Sequence, residues 1–155
     1  MTNVRETYYK AWTAALGQEL IEDKFDWLCS LHREIVIRIC NAIPSRHDLH
    51  NKIATDMDPI IFRQMLDNKV FGGKEFMTLV EYVYSWIKKL SSPARDKSIL
   101  ESEAQLMTNV GRGHTIAQLV PAFILGVHKH LDDLETDLGR DITKDFRRMV
   151  EMSKK

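Results

Sequence analysis

Residues 74–96 read KEFMTLVEYVYSWIKKLSSPARD. Phe76, Leu79, Val80, Val83, Ile87 and Leu90 recur at three- and four-residue intervals, the period of one face of an α-helix. Tyr82, Tyr84 and Trp86 widen that apolar surface beyond a single stripe, so the spacing predicts a helix contacted on more than one side. Ser92, Pro93 and Asp96 then read as a helix start. The hydroxyl can cap, the proline fits a first turn that needs no amide hydrogen, and the carboxylate stands at the positive end. Arg95 and Asp96 are adjacent and point about a hundred degrees apart on a helix, so each is expected to pair with a different helix.

The same period continues outward. Towards the N-terminus it predicts a helix over about residues 3–20 that buries Tyr8, Trp12, Ala15 and Leu16. A second helix, capped by Asp23 or Asp26, carries Phe25, Leu28, Leu31, Ile35, Ile39 and Ala42 and stops at Pro44. Ser45 stands three residues before Asp48 as a capping-box-like start for a short helix with Leu49 and Ile53. Asp58-Pro59 opens another, which ends before Gly72-Gly73. Beyond Asp96, Ile99, Leu100 and Leu106 carry a helix to the glycines at 111 and 113. The next helix has two candidate starts, Thr115 with Gln118 or Pro121. Pro121 is preferred, because an interior proline costs about 3 kcal/mol. Its core side carries Phe123, Ile124, Val127, Leu131 and Leu134. A short basic amphipathic helix is expected over about 141–153. With no sustained strand alternation, the fold class is all-α: one compact domain over 1–155 of about seven to eight helices.

Composition narrows function by exclusion. The 22 basic and 22 acidic residues cancel, so no global field favours nucleic acid. The most apolar stretch, LVPAFILGV at 119–127, is too short to span a bilayer, and the first ten residues lack the apolar core of a signal peptide. Cys29 and Cys40 are roughly 16 Å apart along one helix, too far to bridge, and suit a reducing, intracellular compartment. No nucleophile elbow, P-loop or dinucleotide spacing occurs.

The remaining candidates are few. His47 and His50 lie one turn apart and read as a surface pair. His128, Asp132 and Glu135 share a helix face, which raises a small-ligand or metal-binding alternative. The paired Glu-x-x-His pattern of di-iron bundles is absent, and no metal or cofactor is assigned. The basic C-terminal stretch is suited to a membrane surface or a calmodulin-like partner, against which its three acids count. Tyr8, Tyr9, Trp12, Tyr82, Tyr84 and Trp86 exceed what two stripes need, and Trp12, Tyr82, Tyr84 and Trp86 are the candidate interface with other proteins; burial in the core is the competing reading.

Three stretches in order, LHREIVIRICNAIPSRHDLHNKIATDMD (31–58), IIFRQMLDNKVFGGKEFMTLVEYVYSWIKKLSSPARD (60–96) and VPAFILGVHKHLDDLETD (120–137), resemble the conserved domain of the t-complex protein 11 family. The likeness runs from about Tyr9 to Asp137, and the Pro-x-Arg-Asp turn is its sharpest piece. It departs in having Ser92 where the family usually places alanine and in extra residues between Asp96 and Pro121. The resemblance implies an all-α domain without catalytic activity, associated with cyclic-AMP and protein kinase A signalling and with flagellar function. It marks Pro44, Asp58, Gln64, Pro93, Arg95, Asp96 and Pro121 as signature positions, structural or binding. The expected role is therefore a non-enzymatic interaction or scaffold domain, cytoplasmic or flagellum-associated. A structural subunit of a large complex is the further alternative.

Overall fold

Proline, glycine and aspartate divide the chain where its helices end. The structure is a computed structural model that describes residues 2–139, so the helix expected at about 141–153 lies outside the described residues. Seven α-helices and one short 3-10 turn occur among them, and no strand, as the all-α expectation required. These are α1 (Thr2–Ile21), α2 (Asp26–Asn41), α3 (His47–Asp56), α4 (Pro59–Asp67), α5 (Gly73–Leu90), α6 (Asp96–Gly111) and α7 (Ile116–Asp137), with the turn at Pro93–Arg95 before α6.

Some helix starts follow the predicted chemistry. Asp58 caps α4, its carboxylate accepting the Ile60 amide at 2.8 Å, with Pro59 as the first helical residue. Others differ. The N-cap position of α2 is Phe25, without a side-chain cap. Asp26 instead sends its carboxylate to Arg63 at 2.6 Å, and Asp23 takes a left-handed turn conformation at φ 58°. α3 starts after Arg46, not Ser45, and the Arg46 guanidinium holds Asp48 at 2.9 and 3.1 Å. Ser92 caps through its backbone only, its carbonyl accepting the Arg95 amide at 2.9 Å. The extra residues after Asp96 form α6 itself.

The preferred start of the last helix is overturned. α7 begins at Ile116, where the Gln118 side chain accepts the Thr115 amide at 2.9 Å, and Pro121 is buried inside the helix. Proline has no amide to donate to the carbonyl four residues back, which is that of Ala117. α1 closes on that oxygen: a Cβ built on the buried Gly17 would lie 3.0 Å from it. Glycine lets the α1 backbone approach the carbonyl that proline left without a ladder partner, a geometry suited to a weak C–H···O contact. The cost of an interior proline is thereby offset in the helix pairing rather than avoided.

α7 is the centre of the molecule, with α1, α5, α6 and α2 packed on it. Leu16, Ile35, Ile39, Phe76, Val80, Val83 and Val127 are almost wholly buried in this core. Phe76 meets Phe123 edge-on at 5.7 Å. Tyr84 is also fully buried, and its hydroxyl shares a 2.7 Å hydrogen bond with Ser102. The breadth of the α5 apolar surface is thus used, since α5 packs on both α6 and α7. α1 is less enclosed than its periodicity suggested. Tyr8 is 64% exposed and Ala15 is exposed, while Leu16 is buried, because α7 covers one narrow side of that helix.

Gly17→Ala is expected to destabilise the protein by about 1–3 kcal/mol, because neither backbone at the contact can yield without parting the helices. Thermal unfolding should show a melting temperature lowered by several degrees. Gly111→Ala, whose added carbon meets nothing within 4 Å, should leave it unchanged or raised.

Candidate functional site

The polar face of α7 that the sequence singled out does converge, but on an arginine. Arg38 of α2 donates from Nε to Glu135 at 3.1 Å, from Nη2 to Asp132 at 2.6 Å and from Nη1 to His128 Nδ1 at 2.8 Å. The guanidinium fills the place a bound cation would take. Burial opposes its charge, and the Asp132 and Glu135 carboxylates more than offset that, so its pKa lies above the ordinary value. Because arginine only donates, Nδ1 of His128 must accept and Nε2 carries the hydrogen. That Nε2 is buried and finds no hydrogen-bond partner among the described residues. Burial pushes His128 below its ordinary pKa, against the pull of the Glu34 carboxylate. The ring is neutral at pH 7. Among the described residues no three histidine, cysteine, aspartate or glutamate side chains are placed to hold a metal ion. Sequence reasoning missed Arg38, although Glu34 and Arg38 stand one turn apart and face the same helix.

The four aromatic interface candidates separate into two pairs. Tyr84 is fully buried and Trp86 is 7% exposed, so both are core residues; Lys89 lies over the Trp86 ring at 5.0 Å. Their alternation on α5 could not be told from a surface patch without knowing that α6 and α7 both cover that helix. Tyr82 and Trp12 are half-buried, and each lines a cleft.

Tyr82 borders a groove of about 180 Å³ between α3, α4 and α5. Met57, Ile61, Phe62, Met65 and Leu79 make it apolar, and Asp56, Asp58 and Glu75 stand along it. The Tyr82 hydroxyl donates to Asp56 at 2.7 Å, and burial together with that carboxylate pushes its pKa up to about 12. Lys52 pairs with the same carboxylate at 3.0 Å. His32 also lines the groove, stacked on Phe62 at 4.2 Å, and its buried Nδ1 is without a partner among the described residues. Burial, with the Arg33 charge, lowers the His32 pKa to about 4.

Trp12 lines a second cleft of about 250 Å³ with Tyr8 and Tyr9 of α1, Leu31 and Glu34 of α2 and His128 of α7. Trp12 is fixed from behind by Trp27, edge-on at 5.6 Å. The two clefts share no lining residue.

The signature positions do not gather at either cleft as a group. Pro44, Asp58, Pro93 and Asp96 stand at helix boundaries, Gln64 is exposed on α4, and Pro121 is in the core. Arg95 holds Asp137 at the end of α7 through two 3.0 Å hydrogen bonds, which keeps the Asp137 carboxyl below its ordinary pKa. The pair joins the turn before α6 to α7, as the expected pairing of Arg95 with a different helix requires, and it is half-exposed. His47 and His50 meet edge-on at 5.4 Å, and Nε2 of His50 lies 2.7 Å from the Ile43 carbonyl. Cys29 is buried and Cys40 half-buried, and burial raises both thiols. No helix of the described residues is long and apolar enough to cross a membrane.

His32 makes stability depend on pH in a defined direction. Its folded pKa is depressed from 6.5 to about 4, so between those values the unfolded chain binds a proton that the folded chain refuses. The stability present above pH 6.5 is lost as pH falls towards 4, by up to about 3 kcal/mol. Urea unfolding at pH 7 and 4.5 is expected to show His32→Leu losing less stability than wild type over that interval. Equal losses would contradict the assignment.

A family model described as T-complex protein 11 matches residues 1–135 of the 155-residue chain. No curated protein and no solved structure matches it. The match runs from α1 almost to the end of α7 and so takes in every helix described above: the chain belongs to the T-complex protein 11 family.

Proposed function

We propose that this is a non-enzymatic protein-interaction domain that receives a segment of a partner protein in the groove between α3, α4 and α5. The observation that carries the reading is the groove itself, apolar along its length and bordered by three carboxylates. Ile61, 53% exposed, lies at its edge and offers an apolar contact already in solvent. At about 180 Å³ the groove is smaller than the roughly 300–1,000 Å³ of most small-molecule sites, which favours side chains of a macromolecular partner. The perturbed groups support a non-catalytic role too. His32 is buried, and His128 is committed to Arg38. In family terms, components of cyclic-AMP and protein kinase A signalling and of the flagellum are the first partners to seek, with a scaffold or structural subunit as the form the role takes.

Affinity capture from the native cell extract tests this reading with three proteins: wild type, Ile61→Glu with Glu75→Lys, and the control Leu100→Glu. Leu100 is 52% exposed on α6, outside the groove. A defined set of partners should be retained by the control and lost, by tenfold or more, with the groove variant. Partners indifferent to the groove variant would contradict the proposed site.

A further inference from the structure

We infer that the cleft lined by Tyr8, Tyr9 and Trp12 is a recognition site for a methylated ammonium, specifically a trimethyl-lysine side chain presented by a partner protein. The inference goes beyond the groove described above and uses none of its residues. Three aromatic rings reach one cleft from a single helix face and its flank, at positions i, i+1 and i+4 of α1. The Tyr8 and Tyr9 rings stand 5.9 Å apart at 62°, so they form two walls of a corner instead of a flat stack. Trp12 is braced by Trp27 behind it and supplies another wall. Tyr8 is 64% exposed, an aromatic left in solvent on a helix whose other face is buried.

Charge selects the occupant. Glu34 is the acidic residue of the lining, and it faces the aromatic group from α2. His128 is neutral, and the Arg38 guanidinium that bonds it is already held by Asp132 and Glu135. Aromatic faces with one carboxylate attract a bulky, weakly hydrated cation through the ring quadrupole and the opposite charge. A compact, strongly hydrated ammonium gains less from such a site. A phosphocholine headgroup would bring its phosphate against the Glu34 carboxylate, which favours the protein-borne cation over the lipid.

Titration of the full chain with a glycine–serine octapeptide carrying one trimethyl-lysine tests this directly, read from the Trp12 indole signal by NMR. Two control peptides replace that residue by unmodified lysine and by its neutral isostere with carbon in place of the ammonium nitrogen. The trimethyl-lysine peptide is expected to saturate the signal and to bind at least tenfold more tightly than either control. Tyr8→Leu and Glu34→Gln should each weaken it fivefold or more with unchanged melting temperature, and the groove variant, Ile61→Glu with Glu75→Lys, should bind as wild type does. Equal affinity for the neutral isostere or for unmodified lysine would overturn the inference, as would absence of saturable binding. Tighter binding to phosphatidylcholine vesicles would overturn it in favour of a lipid headgroup.

Discussion

The approach of Gly17 to the carbonyl of Ala117 determines how α1 lies on α7, and α2, α5 and α6 pack on the same α7. Two sequence features that look unfavourable separately make this contact possible. A glycine inside α1 weakens the helix by roughly 0.5–1 kcal/mol relative to alanine. A proline inside α7 removes a ladder hydrogen bond. Placed opposite each other, the first gives the space that the second requires, because the missing Cβ lets one backbone reach the carbonyl the proline left behind. The same approach places the N-terminal half of α1 beside α2 and α7, where Tyr8, Tyr9 and Trp12 meet Glu34 and His128.

Electrostatics then fixes the side of α7 that α2 covers. Arg38 contributes one charge, while Asp132 and Glu135 contribute two, and the guanidinium geometry satisfies both carboxylates and the histidine together. Asp132 is 71% exposed, so its share of the energy is screened; Arg38, at 16%, is held much more closely. The consequence for recognition is larger than that for stability. The guanidinium charge close to the aromatic cleft is neutralised, and the histidine is locked in one tautomer.

Most of the fold was legible because its causes are local. Apolar residues at helical intervals, Asp58-Pro59 and the glycines at 72–73 and 111–113 placed helices without tertiary information. The misreadings came where a distant residue decided the outcome. Pro121 looked like a start because nothing local announces that Gly17, more than a hundred positions earlier, accepts its consequence. Asp26 looked like a cap, but Arg63 holds its carboxylate. Tyr84 and Trp86 looked like surplus aromatics, and only the joint covering by α6 and α7 makes them core. The three polar residues on α7 were correctly grouped, while their partner lay on α2, beyond the reach of any local pattern.

The aromatic cleft on this account depends on a fixed frame in which α1 and α7 move together, so that it keeps its shape before a partner arrives. Native-state hydrogen exchange measures that claim most directly. The account predicts that amides of α1 around Leu16 and of α7 between Leu119 and Leu134 exchange only through the same global opening, with matching free energies and denaturant dependence. Exchange of α1 through a separate, lower-energy opening while α7 stays protected would contradict it.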